Sequence, residues 1–374
     1  MLLTYMSNLR NIITFFYILL GSIFILSSCS VIRSIGKYPP KKRQVEYAQL
    51  PNYRDKTFYN LYSTDTILYL ENRAPQETKM RKFRKRPKLS QDVPSVKTNL
   101  LDTIFPETTI VWFGHSSYLI QSKGFNILVD PVLSGYASPL FYFNRSLPGS
   151  HIYKPKDLPP IDLILITHDH YDHLDCSTLR KYKKKKNTKA VVPLGVGTLL
   201  SYWNWKPDRY REVYWGDTID LDKNTRIIST PAQHRSGRWT KKDRTLWSSY
   251  VLEIHGHRIF IGGDSGYNKH FKDIGDKYGP FDLAILENGQ YSTEWPKNHS
   301  FPEQTVHTAQ ELKAKMVLPV HWGRYAAAYH LWNEPIKEIL PLMDAIHIPV
   351  TVPRIGEPYT IGDPPKREVW WDFE

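Results

Sequence analysis

Three histidines and two aspartates crowd into the six residues His168-Asp169-His170-Tyr171-Asp172-His173, just behind the mostly apolar run Ile161–Ile166. Imidazole nitrogen and carboxylate oxygen together suit zinc and related divalent ions. Five such donors in one loop exceed what a single tetrahedral ion takes from one segment, so the spacing predicts two metals. The apolar run reads as a buried strand, which would deliver the donors at its C-terminal end. Each histidine alone would be an ordinary loop residue; the order His-x-His-x-Asp-His behind an apolar strand points to joint metal binding. Two neighbouring divalent ions lower the pKa of a bridging water, so the expected chemistry is hydrolysis by hydroxide near neutral pH.

Further chemistry-bearing residues stand at the ends of other predicted strands. Ile110–Phe113, Tyr118–Gln121 and Asn126–Val129 read as a meander, with His115 in the turn Gly114-His115-Ser116 and Asp130-Pro131 directly after the third strand. A short helix over Ser177–Lys183 and strands at Ala190–Pro193, Arg211–Trp215 and Thr225–Ser229 follow, the last leading to Thr230-Pro231-Ala232-Gln233-His234. Trp247–Ile254 and Arg258–Ile261 read as a paired hairpin ending in Gly262-Gly263-Asp264-Ser265-Gly266. There the glycines let the backbone turn closely and leave Asp264 projecting. Leu283–Leu286 is the next strand, Pro302–Ala314 a helix with Pro in its first turn and His299 just before it, and Met316–Pro319 a last strand followed by Val320-His321-Trp322-Gly323.

Taken together, Gly114-His115-Ser116, Asp130-Pro131, His168–His173, Pro231–His234, Gly263-Asp264-Ser265-Gly266 and His321-Trp322-Gly323 resemble the metallo-β-lactamase superfamily. In motif order they are similar to the branch containing N-acyl phosphatidylethanolamine phospholipase D and the ascorbate-phosphate lactonase. The resemblance implies an α/β fold, an αββα sandwich with its metal site along one edge. It assigns His168, His170 and His234 to one ion, Asp172, His173 and His321 to the other, and Asp264 to both. Asp130 and His115 would stand behind the ligands and hold them by hydrogen bonds, as metal sites commonly require. Asp172 would orient the attacking water or accept its proton, and His299 matches by its spacing to His321 a non-ligand histidine that contacts the phosphodiester. Zinc is the commonest metal for such a set, and manganese and iron accept the same donors. The implied activity is a phospholipase D-type phosphodiesterase acting on N-acyl phosphatidylethanolamine or a related amphiphile; a lactonase or other ester hydrolase with the same metals is the alternative. Asn288-Gly289-Gln290-Tyr291 departs from the phospholipase pattern where the substrate pocket is shaped.

The chain has 374 residues, enough for one large domain with extensions. Arg10, the nearly apolar stretch Asn11–Leu26 and Ser27-Ser28-Cys29 read as an export signal that resembles a lipoprotein leader, with Cys29 as the lipidated residue. The expected organisation is a leader over 1–28, a tether and basic arm over 29–105, and a hydrolase domain over 106–374, lipid-anchored in a bacterial cell envelope. Only two cysteines occur, Cys29 and Cys176, so no structural disulfide is expected. The formal net charge is +13, with seven basic residues among the ten of Lys79–Lys88 and five among the six of Lys181–Lys186. On a membrane-tethered protein such blocks suit a solvated face or anionic lipid headgroups, and no nucleic-acid partner is expected. Between Gly135 and Pro160 a long loop rich in Tyr and Phe could wall the site or touch lipid.

Overall fold

The computed structural model describes residues 29–62, 88–185 and 187–373. The leader over 1–28, the segment Thr66–Leu70, the basic run 79–87 and Lys186 lie outside the described residues. Helix α1 (Lys41–Tyr47) and a small hairpin, β1 (Tyr53–Arg54) with β2 (Thr57–Phe58), precede the main sheets. Their Tyr47, Tyr53 and Phe58 pack with Trp215 and Trp247 of the main body.

Every side chain of β3 (Thr109–Trp112) is buried, and successive residues face opposite ways: Ile110 and Trp112 join one apolar cluster, Val111 and Phe113 another. A strand buried on both faces belongs inside a layered structure. β4 (Tyr118–Ser122) and β5 (Phe125–Val129) continue the antiparallel meander, and β6 (Leu163–Leu165), β7 (Lys189–Pro193) and β8 (Tyr210–Val213) extend it in parallel. β9 (Thr218–Asp222) and β10 (Thr225–Thr230) open a second sheet. After the small hairpin β11 (Gly237–Arg238) and β12 (Lys241–Lys242), that sheet continues through β13 (Ser249–Ile254), β14 (His257–Ile261), β15 (Leu283–Glu287) and β16 (Val317–Val320). β17 (Pro358–Thr360) returns to pair with β3.

The inner faces of the two sheets share one core, which joins Ile110, Ile120 and Leu163 to Ile227, Leu252 and Ile259. On the outer face of the first sheet, α2 (Cys176–Tyr182) and α3 (Val196–Tyr202) contribute Leu179, Leu199 and Leu200. Helices α4 (His270–Tyr278), α5 (Pro302–Glu311) and α6 (Glu334–Ala345) bring Phe271, Ala309 and Ile339 to the second. The result is the αββα sandwich. Helix α5 stops three residues short of the expected Ala314, because Leu312 caps it and Lys313 takes a left-handed φ of 56°. The reading of the sequence did not anticipate β9, α4, α6 and β17.

His270, sealed in the first turn of α4 with Nε2 3.0 Å from Ser265 Oγ, is pushed down to about 3 by burial. The folded chain keeps this imidazole neutral, whereas the unfolded chain protonates it near the ordinary histidine value of ~6.5. Its contribution to stability is therefore complete above that value and shrinks as pH falls toward the folded pKa. The thermal unfolding midpoint, followed by circular dichroism, should drop on acidification from about pH 7 to about pH 4, with a shallower slope in His270→Gln.

Candidate metal centre

Strands β3, β5 and β6 of the first sheet run the same way, as do β10, β14, β15 and β16 of the second. Their carboxyl ends meet at one edge of the sandwich, where layered α/β folds place their sites. The segments just beyond them carry His115, Asp130, the 168–173 loop, His234, Asp264 and His321, and β15 ends on Glu287. His115, Asp130 and His321 take left-handed φ values of 56°, 39° and 69°. Such turns are uncommon for residues other than glycine and cluster where function over-determines the backbone. Two main-chain bonds, His115 N to Trp322 O (2.8 Å) and His321 N to His115 O (2.9 Å), lock the two sheets' loops together.

The structure brings His168, His170, His234 and Asp264 into one group of converging donor atoms, and His115, Asp172, His173 and His321 into another. In the first, His168 Nε2 is 2.8 Å from His170 Nδ1, and His234 Nε2 is 3.3 Å from the same atom. The tautomers follow from the outer bonds. Thr167 Oγ1 donates to Asp130 (2.6 Å), so it accepts from His168 Nδ1 (3.0 Å); His234 Nδ1 donates to Asn298 O (2.7 Å). Both rings therefore turn an Nε2 lone pair inward.

Asp264 lies between the groups, with Oδ2 3.7 Å from His168 Nε2, 3.7 Å from His234 Nε2 and 3.1 Å from His173 Nε2, and Oδ1 3.2 Å from His321 Nδ1. Asp130 Oδ2 accepts from His173 Nδ1 at 2.7 Å, and its Oδ1 accepts from Thr167 N at 2.8 Å. His115 Nε2 is 2.9 Å from Asp172 Oδ2, so His115 stands against Asp172. His173 Nε2 and Asp264 Oδ1 are sealed from solvent and make no hydrogen bond among the described residues. Buried polar atoms are normally satisfied, and converging nitrogen lone pairs repel unless a cation lies among them. The donor set thus fits divalent metal ions.

Charge points the same way. Burial, with the crowding of neighbouring imidazoles, holds His168, His234 and His321 well below the ordinary range, so they stand as neutral imidazoles with a lone pair to offer a cation. Burial would raise Asp264, but His173 above all outweighs it and holds the carboxyl at about 2. Burial likewise disfavours a charged His173, yet Asp264, Asp130 and Asp172 together draw positive charge to it and raise it well above the usual value. A pocket that demands positive charge at a buried nitrogen suits a cation.

His299 also reaches the cluster: its ring stacks 5.1 Å from that of His321, and its Nδ1 is 2.7 Å from Glu287 Oε2. Glu287, which the sequence reading passed over, accepts through Oε1 from Ser265 N (3.1 Å) and Ser300 N (2.8 Å). A glutamate closing an otherwise apolar strand was the available signal. Burial opposes the imidazolium of His299, but the Glu287 carboxylate prevails and pushes it up to about 9. Arg238, also unforeseen, is buried and donates to the metal-loop carbonyls of Asp169 (2.7 Å) and Leu174 (2.9 Å).

Residues 125–322 match the family model described as the β-lactamase superfamily domain. The chain belongs to the metallo-β-lactamase superfamily. An uncharacterised protein of Mycobacterium tuberculosis is 34% identical over 330 residues, covering 86% of this chain and 88% of that protein. The N-acyl-phosphatidylethanolamine-hydrolyzing phospholipase D 1 of Caenorhabditis elegans is 32% identical over 253 residues, covering 63% and 69%. Among solved structures, Igni18, a metallo hydrolase of the archaeon Ignicoccus hospitalis, shares the fold with a TM-score of 0.52 at 21% identity, over 67% of this chain and 97% of that one. The protein is a metal-dependent hydrolase of this superfamily with His and Asp clusters able to bind metal.

Because Asp130 fixes His173 and Thr167, Asp130→Asn should weaken metal binding roughly 10- to 100-fold, as loss of a supporting partner typically does. Competition with a chromogenic chelator measures this, and unchanged affinity would refute the role.

Proposed function

We propose that the protein is a membrane-tethered, dinuclear zinc phosphodiesterase of the phospholipase D type, acting on N-acyl phosphatidylethanolamine or a related amphiphile. The observation that carries this reading is a pair of neighbouring pockets, the polar one lined by His234. A polar part of about 650 Å³ is lined by Arg54, Lys297 and Arg235, the last paired with Asp243 at 2.6 Å, together with His234 and Asn298. An apolar part of about 280 Å³, sharing Tyr62 with it, is lined by Leu61, Trp215 and Ile274 among others. Cations suit a phosphate-bearing headgroup, and the apolar extension suits hydrocarbon. The similarity to a phospholipase of the same superfamily supports this choice of substrate over a small lactone.

In this reading His168, His170, His234 and Asp264 hold one ion, and Asp172, His173, His321 and Asp264 the other. When bound, the pair supplies a nucleophilic hydroxide near neutral pH and Lewis acidity for a phosphoryl oxygen. Burial would raise Asp172, but His173 and the bond from His115 hold it well below the usual carboxylate range. It is thus an orienting group more than a store for the proton. His299, kept positive by Glu287, is the donor placed to hold a non-bridging phosphate oxygen as charge develops. Asn60 Oδ1 accepts from His234 N (3.0 Å) and Trp247 Nε1 (3.0 Å), so the N-terminal arm steadies the ligand that borders the cleft.

Phosphatidic acid released from N-acyl phosphatidylethanolamine, measured by mass spectrometry, tests the reading. Zinc-loaded protein should release it, and His299→Ala should lower turnover roughly 100- to 1,000-fold, the range for losing one donor to a developing oxyanion, while metal content stays unchanged. Turnover of a lactone with no phosphatidic acid would move the substrate to the ester class.

A further inference from the structure

The segment directly after Cys29 is bound to the catalytic body. Residues 29–35 are helical. Trp203 Nε1 donates to Arg33 O (2.8 Å), and Arg238 donates to Ser34 O (2.6 Å) and Ile35 O (3.2 Å). The same buried guanidinium bonds the carbonyls of Asp169 and Leu174 and lies 4.0 Å over the ring of Tyr171. One side chain therefore joins the segment behind Cys29 to the loop that carries His168–His173. At the rise of an α-helix, Cys29 lies about 8 Å along the axis from Ser34.

This corner has the make-up of a membrane-contact face. Ile32 is 58% exposed and Trp239 62%. Trp239 forms the turn between β11 and β12 with a left-handed φ of 58°. A bulky residue at that φ, held out in water, gains nothing from the fold that a glycine or asparagine would not supply better. Tryptophan is, however, the side chain most at home in the headgroup layer of a bilayer. Cations flank it: Lys241 and Lys242 are exposed on β12, and Arg33 lies close to the basic end of α2. There burial, then Arg180, Lys184 and Arg33, push the Lys183 amine below its ordinary value. The apolar stretch Asn11–Leu26 leads straight into this segment, so an acyl group on Cys29 or a retained leader would enter a bilayer from the same corner.

We infer that this corner, with Ile32 and Trp239 at its centre and Arg33, Lys184, Lys241 and Lys242 around them, rests on an anionic phospholipid bilayer and holds the metal loop at headgroup level. The inference builds on the membrane tethering proposed above and adds which face meets the lipid. It is tested on the full chain in vesicles of equimolar phosphatidylethanolamine and phosphatidylglycerol. An environment-sensitive fluorophore is placed at Trp239→Cys, and in a second variant at Lys337→Cys on α6, in the opposite helical layer. Cys176 is buried with its thiol pushed up to about 11, and both variants carry Cys29→Ser because Cys29 is exposed, so no other thiol competes for the label. A nitroxide carried by the lipid should quench the label at position 239 and leave that at 337 unaffected. Absent quenching at 239, or equal quenching at both, would overturn the inference. Lys184→Glu should weaken turnover of vesicle-borne substrate by about fivefold or more, with turnover of a water-soluble phosphodiester unchanged; an equal loss on both would count against the face. If quenching at 239 fails while phosphatidic acid is still released, the docking face falls and the substrate reading stands; quenching without release reverses that outcome.

Discussion

One buried carboxylate, Asp264, holds the two halves of the molecule to a common purpose. It sits beyond β14 of the second sheet, yet its oxygens face His168 and His173 from the first sheet as well as His234 and His321 from the second. An ionised carboxylate in a dry site is costly unless positive charge surrounds it. Four converging imidazoles meet that need only in part, since most of them are held neutral. The rest of the site follows from this mismatch: Asp130, Thr167 and Asn298 fix ring tautomers so that lone pairs face inward, and left-handed turns at His115 and His321 bring the loops close enough to share the charge.

The sandwich serves this arrangement. Seven strands from two sheets end at the same edge, so residues far apart in sequence reach one volume without any long loop having to position them. That is also why the residues that converge in these clusters were legible in the sequence. Each follows a run of buried β-branched or aromatic residues, and His-x-His-x-Asp-His, Gly-Asp-Ser-Gly and His-Trp-Gly each mark a strand end whose side chain has nowhere else to go. Strands β3 to β8 were legible for the same reason, to within a residue or two at their ends.

What stayed hidden depends on partners that no local pattern reveals. Glu287 reads as the end of a strand, and only the fold places it beside His299. Arg238 lies in a stretch of basic and polar residues that reads as a solvated turn, yet it is among the largest fully buried side chains described. β9 alternates exposed and buried residues at a sheet edge over five positions, too short to separate from a turn. The aromatic arm, Tyr47 to Tyr62, shows no periodicity because it packs as single side chains against Trp215 and Trp247. These are the parts that shape the pockets and the approach to them, so motif reading reached the donor clusters before it reached the substrate.

The most direct measurement is anomalous X-ray diffraction at the zinc edge from crystals of the zinc-loaded protein. The account predicts two peaks per chain, one bounded by His168, His170 and His234, the other by Asp172, His173 and His321, with Asp264 touching both. A single peak, or peaks away from Asp264, would contradict it.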